Sequence, residues 1–154
     1  HSLLLYSKLF NNEKLMYLSS LLKKTNRLLI KRANELIKPY AMSHAYTYIL
    51  MELYIEDGLT QSELVQLIEV EQPTLVRTLD RMERDGFITR KPSSMDRRVV
   101  HIFLTEKARL LQEKIDECSR ILNDEILAGF SEDEKTKLQE LTHRVLDNLR
   151  NPIE

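Results

Sequence analysis

The sequence predicts a mainly α-helical chain with a small β-hairpin, in the order α-α-α-α-β-β-α-α. Three observations predict it. Apolar residues recur at helical spacing over most of the 154 residues. Three glycines and four prolines leave little room for a loop-rich β architecture. The one stretch dense in β-branched and aromatic residues, 87–104, is short and divided by turn residues.

From about residue 12 to 38, Leu15, Leu18, Leu22, Leu29 and Leu36 mark a long amphipathic helix that Pro39 ends. Ser43 is placed to N-cap a second helix through Tyr46, Ile49, Leu50 and Leu53, with Gly58 as its stop. Thr60 and Glu63 have capping-box spacing and open a short helix with Leu64, Leu67 and Ile68 turned inward. Val70-Glu71 is the turn into a helix over 72–85, where Pro73 sits in the first turn and its missing N–H costs nothing. Gly86 terminates that helix. Residues 87–90 and 99–104 read as strands, with turn chemistry from Pro92 to Arg97 between them. Thr105 then caps one long helix through Leu110, Leu111, Ile115, Ile121, Leu122 and Ile126. Gly129 breaks it, and Ser131 with Glu134 makes a second capping box for a last helix carrying Leu138, Leu141, Val145 and Leu149.

The net charge of −1 does not suggest a nucleic-acid binder, but the distribution is informative. Residues 1–42 carry net +6, 43–76 net −6, 77–105 net +3 and 106–154 net −4. Arg90, Lys91, Arg97 and Arg98 crowd the hairpin with only Asp96 against them. Local positive charge, not global pI, is what meets a phosphate backbone. No apolar run is long enough to suggest a membrane span. Leu3-Leu4-Leu5-Tyr6 is too short, and too soon interrupted by Lys8, for a signal peptide. The chain opens on His1 rather than Met, so its first residues read as a processing remnant. A lone Cys118 excludes an intrachain disulfide and fits a reducing compartment, so a cytoplasmic location is expected.

The functional signal lies in the helix over 72–85. Leu75, Leu79 and Met82 recur at i, i+4 and i+7 as an inward stripe. Thr74, Arg77, Thr78 and Arg81 recur at i, i+3, i+4 and i+7 opposite them, a row of hydrogen-bonding and cationic side chains with no carboxylate. An α-helix fits the DNA major groove, and Arg and Thr read base edges or grip phosphate. Two short helices, a tight turn and an arginine-tipped hairpin make a helix-turn-helix with a β-wing. The outer helices hold more leucine and isoleucine than one small lobe needs. A second copy would cover that surplus, giving a two-fold dimer whose paired helices read a palindrome.

Four blocks carry a family resemblance: Leu59-Thr60-Gln61-Ser62-Glu63-Leu64; Glu71-Gln72-Pro73-Thr74-Leu75-Val76-Arg77-Thr78-Leu79-Asp80-Arg81; Asp85-Gly86-Phe87-Ile88-Thr89-Arg90; and Asp96-Arg97-Arg98 with Leu104-Thr105-Glu106-Lys107-Ala108. In order and spacing the chain resembles the MarR family of winged helix-turn-helix regulators, and within it the SlyA-like branch. The likeness spans roughly residues 15–150. It implies a homodimer gripping a pseudo-palindromic double-stranded DNA operator at the bacterial nucleoid. The DNA-binding lobe would be 43–104, and 1–40 with 105–154 the helical dimerisation lobe. Residues 71–85 would enter the major groove, with Gln72, Pro73, Thr74, Arg77, Thr78 and Arg81 on bases or adjacent phosphates. Arg97 or Arg98, at the wing tip, would enter the minor groove. Lys91, Ser93, Ser94 and Ser62 would hold phosphate. Asp96 would brace the wing through a neighbouring arginine, since a carboxylate near phosphate is repelled. Members of the family often lose DNA affinity when a small aromatic acid binds between the DNA lobe and the dimer helices.

Arg32, Tyr40, His44 and Tyr48 could line a site for such an aromatic carboxylate, with a cation as its partner; packed side chains at a lobe junction are the alternative. Cys118 lies mid-helix, whereas peroxide-sensing relatives use a cysteine near the amino terminus, so it reads as an inert packed thiol. His44, His101 and His143 lack metal-ligand spacing, and no metal or cofactor is expected. No glycine-rich phosphate loop, His-Glu-x-x-His run or nucleophile elbow suggests an enzyme. The alternatives are a redox- or metal-responsive regulator of the same fold, and a helical protein-interaction module that does not bind DNA.

Overall fold

The structure, a computed structural model, describes residues 3–5, 8 and 17–153. The expected start of the first helix, with Leu15, lies outside the described residues. The described elements are α1 (Leu18–Ile37), α2 (His44–Ile55), α3 (Gln61–Ile68), α4 (Gln72–Arg84), β1 (Ile88–Pro92), β2 (Val100–Leu104), α5 (Glu106–Leu110), α6 (Gln112–Ile126) and α7 (Glu132–Arg150). They fall into two compact units, His1–Cys118 and Ser119–Glu154.

Burial explains the first unit. Ile49, Leu50 and Leu53 of α2, Leu64 of α3, Leu75, Leu79 and Met82 of α4, Ile88 and Ile102 of the hairpin, and Phe87 just before it share one core. Each fully buried side chain of this size contributes roughly 1.5–3 kcal/mol. The hairpin is antiparallel, pairing Ile88 with Leu104, Arg90 with Ile102 and Pro92 with Val100. Its base is stitched to the α2–α3 turn, because the Ile102 N–H donates to the Leu59 carbonyl at 2.8 Å.

Both capping boxes form as their spacing dictates. Thr60 Oγ1 accepts the Glu63 N–H at 3.1 Å and the Glu63 carboxylate accepts the Thr60 N–H at 3.2 Å. Ser131 and Glu134 exchange the same bonds at 3.1 and 2.9 Å. Other expectations are corrected. Ser43 occupies the N-cap of α2 without a side-chain bond; Asn34 of α1 accepts the His44 N–H instead, at 3.0 Å. This bond ties α1 to the start of α2 within the first unit. Leu67, expected inward, is exposed.

The single long helix expected after Thr105 is broken at Leu111. The Tyr54 hydroxyl donates to the Ala108 carbonyl at 2.6 Å, taking the acceptor that an unbroken helix would give to residue 112. The Leu111 N–H turns back to the same carbonyl at 3.2 Å, a 3-10 step. Leu110, expected among the apolar positions of that helix, is exposed. In the second unit Ile121, Ile126, Phe130, Leu138, Leu141, Leu146 and Leu149 are all a third or more exposed on the single chain.

Gly58 takes φ +79°, and a Cβ there would lie 2.8 Å from the Phe103 ring. Gly129 takes φ +82° with open space around it. An alanine at either position pays a left-handed backbone penalty of roughly 1–2 kcal/mol. Gly58→Ala adds the collision with Phe103, so chemical denaturation should show a clearly larger stability loss than for Gly129→Ala. Equal losses would mean that the ring moves aside at no cost.

Candidate nucleic-acid interface

The rotation of α4 is fixed from inside. Leu75, Leu79 and Met82 are 2%, 0% and 0% exposed, so the opposite face must meet solvent. That face presents Gln72, Pro73, Thr74, Arg77, Asp80, Arg81 and Arg84. Two features of the expected outer row are corrected. Thr78 is buried, and its hydroxyl donates to the Thr74 carbonyl at 3.0 Å. Helical geometry explains this: at 100° per residue Thr78 borders the inward stripe, between Thr74 and Met82. The exposed face also carries a carboxylate, Asp80, which lies one turn beyond Arg77.

That carboxylate is answered from the hairpin. Arg90 of β1 reaches Asp80 at 2.7 Å and Glu83 at 3.0 Å, and its own N–H donates to Glu83 at 3.1 Å. The hydrogen bonds from Arg90 hold the Glu83 carboxyl below its usual range. The charge count of the sequence places Arg90 with the other hairpin cations. Its role toward α4 is visible only once β1 folds back along the helix.

The wing loop closes on itself. The Ser93 N–H donates to the Val99 carbonyl at 2.7 Å and the Val99 N–H to the Asp96 carbonyl at 3.0 Å. Asp96 accepts the Arg98 N–H at 3.0 Å, and its two oxygens take the Arg98 guanidinium at 3.1 Å each. The brace expected of Asp96 therefore runs through Arg98. These bonds hold the Asp96 carboxyl below the ordinary range. Arg98 nevertheless keeps 91% of its side chain exposed. Arg97 and Ser94 are exposed, Ser93 is half-buried and accepts the Met95 N–H, and Lys91 lies 5.5 Å from the Phe103 ring centroid. Ser62 is exposed in the first turn of α3.

Contacts that the sequence reading missed tie this surface to the body. Asp57 accepts the Leu104 N–H at 2.8 Å and pairs with the Arg109 guanidinium. His101 Nδ1 lies 2.8 Å from the Gly58 carbonyl, and since a carbonyl only accepts, Nδ1 carries the proton. At the far end of α4 the Tyr46 hydroxyl donates to Asp85 at 2.6 Å, and Arg84 donates to the same carboxylate at 3.1 Å. Burial, then the Asp85 bond, push the Tyr46 hydroxyl up. Lys107 Nζ donates to the Asp85 carbonyl at 2.7 Å and sits 4.3 Å from the Phe87 ring centroid. Apart from Arg84 with its neighbour Asp85, these contacts join residues too far apart in sequence for any motif to flag them.

The four ligand candidates are placed unevenly. His44 meets Tyr48 edge-on at 5.8 Å, and its ring nitrogen lies 3.3 Å from the Asn34 amide; burial lowers its pKa. Arg32 pairs with Glu35 at 3.1 Å, and Tyr40 packs against the core. An open hollow of about 640 Å³ lies nearby, lined by Lys31, Asn34, Lys38, Ser43, Tyr46 and Asp85 among others, and none of the four candidates lines it. Cys118 is half-buried with Sγ 3.5 Å from the Leu36 carbonyl, and burial pushes its thiol up, away from reactivity.

Residues 42–100 match the MarR family. Among solved structures, the chain is similar to the transcriptional regulator PA3341, at 34% identity over 88% of this chain and 99% of that one, with a TM-score of 0.74. It is similar to a single-residue variant of MarR from E. coli complexed with operator DNA, at 26% identity, 84% and 93% coverage and a TM-score of 0.78. The regulator SlyA shares the fold at 24% identity, 87% and 94% coverage and a TM-score of 0.80.

The Asp96 brace makes a pH prediction. A carboxyl whose folded pKa is depressed favours the folded wing above its unfolded pKa and loses that effect as pH falls through the folded pKa. The Arg98 amide resonance should therefore titrate with a midpoint below the ordinary aspartate range. A midpoint at the free-aspartate value would show that the Asp96–Arg98 contact is absent in solution.

Proposed function

We propose, since the chain belongs to the MarR family, that it is a homodimeric, sequence-specific regulator of transcription that grips a pseudo-palindromic DNA duplex. The observation that carries this reading is the locked face of α4, with Arg77 and Arg81 outward beside a closed, arginine-tipped wing. Arg77 and Arg97 enter no ion pair among the described residues, so both are available to nucleic acid. The DNA-bound relative supports the same reading.

In this reading the first turn of α4, with Gln72, Pro73, Thr74 and Arg77, approaches base edges, and Arg81 follows the backbone. The N-terminal turn of a helix favours phosphate, which suits Ser62 on α3. Arg97 or Arg98 enters the minor groove, and Lys91, Ser93 and Ser94 hold the strand beside it. Thr78 has no part, because its hydroxyl is engaged within the helix. The exposed apolar stripes of α1, α6 and α7 suit burial against a second copy. Two copies present their α4 helices about one DNA turn apart, roughly 34 Å. A small aromatic anion beside His44 and Tyr48 would weaken binding by changing that spacing, acting in the bacterial cytoplasm at the nucleoid.

Gel shift against fragments of the source genome tests the proposal, and failure to retard any fragment would favour a protein-interaction module. On the selected fragment Arg77→Ala should cost roughly 1–3 kcal/mol and relax choice at one base pair. Equal loss on selected and random duplex would reduce Arg77 to a phosphate contact. Arg97→Ala should lower the slope of log K against log salt by about one, and an unchanged slope would place Arg97 outside the interface.

A further inference from the structure

We propose that Arg90 is a charge-masking and positioning residue of the DNA-binding surface, acting on Asp80 and Glu83 and not on nucleic acid itself. The proposal rests on the DNA-binding reading above. It starts from a conflict on the surface of α4. Asp80 follows Arg77 by three residues and precedes Arg81 directly, so a carboxylate stands between the two cations offered to DNA. Its side chain is 57% exposed, and that of Glu83 is 41% exposed. Left unanswered, both would repel phosphate beside the groups meant to attract it.

The Arg90 fork resolves the conflict. One terminal nitrogen reaches Asp80 at 2.7 Å and the other Glu83 at 3.0 Å, with Nε at 3.4 Å from Glu83. Only a planar guanidinium can hold two carboxylates in this way; a lysine ammonium is a point charge. The side chain is 24% exposed, against 91% for Arg98 at the wing tip, so Arg90 is turned toward α4 and away from any partner. Its N–H donates to Glu83 as well, which fixes β1 along the second half of α4. Exposed ion pairs add little to folding stability, so the consequence of this one falls on the charge and pose of the helix.

The test is a cycle of variants measured by fluorescence anisotropy on the duplex that the wild-type chain selects. Arg90→Gln should weaken binding by about tenfold or more, because it unmasks both carboxylates. Asp80→Asn with Glu83→Gln should bind at least as tightly as wild type. Adding Arg90→Gln to that neutral pair should then cost no more than about threefold, since no charge remains to mask. An equal loss in both backgrounds would overturn the proposal and make Arg90 a direct phosphate contact or a packing residue. So would wild-type affinity in Arg90→Gln. Melting by circular dichroism identifies any variant that fails to fold. Should Arg90→Gln do so, the neutral pair alone decides: weaker binding than wild type overturns masking, and equal or tighter binding supports it. A wild-type chain that binds no duplex removes the DNA-binding reading and this inference together, whereas a binding wild type with an indifferent Arg90 removes only the latter.

Discussion

Burial of Leu75, Leu79 and Met82 is the constraint on which the rest depends. These three side chains are almost wholly enclosed in the core shared by α2, α3 and the hairpin. A helix of 13 residues anchored on one face at three points cannot rotate without exposing them. The positions of Arg77 and Arg81 are thus set by apolar packing on the other side. Polar contacts then refine the pose: Tyr46 and Lys107 hold the residues at the end of the helix, and Arg90 holds its middle.

The second theme is where the acidic groups go. Around the proposed interface nearly every carboxylate has a donor within the chain. Glu63 serves a helix cap, Asp57 takes a strand amide and Arg109, Asp85 takes Tyr46 and Arg84, and Asp96 takes Arg98. Asp80 and Glu83 share Arg90. The result is a surface most of whose negative groups are engaged internally, Glu71 at the N-cap of α4 excepted, while Arg77 and Arg97 face outward. A chain with net charge −1 can offer phosphate a positive field in this way.

Much of this was legible in sequence because it is local. The two capping boxes, the inward stripe of α4 and the hairpin turn each depend on residues within a few positions of one another, where spacing and residue type suffice. Two kinds of feature escape sequence spacing. Spacing of i+4 from Thr74 suggests an outward Thr78, although that step turns the wheel about 40° toward the core. The break at Leu111, the Asn34 cap of α2 and the Arg90 clamp were invisible because their partners meet only in the folded chain. Tyr54 and Ala108 are 54 residues apart, and no sequence period records their contact. Arg32 differs from these: its partner Glu35 lies one turn along the same helix, a local pairing that leaves His44 and Tyr48 as the aromatic part of the proposed ligand site.

The most direct measurement is a titration of the isotopically labelled chain with the duplex it selects, followed through its backbone amide resonances. If the locked face of α4 is the reading surface, the largest shifts will fall on residues 72–81 and on the wing loop 93–98, while the amides beneath Leu75, Leu79 and Met82 keep their hydrogen-exchange protection. Shifts concentrated on α7 with residues 72–81 unmoved, or loss of protection along α4 on binding, would contradict it.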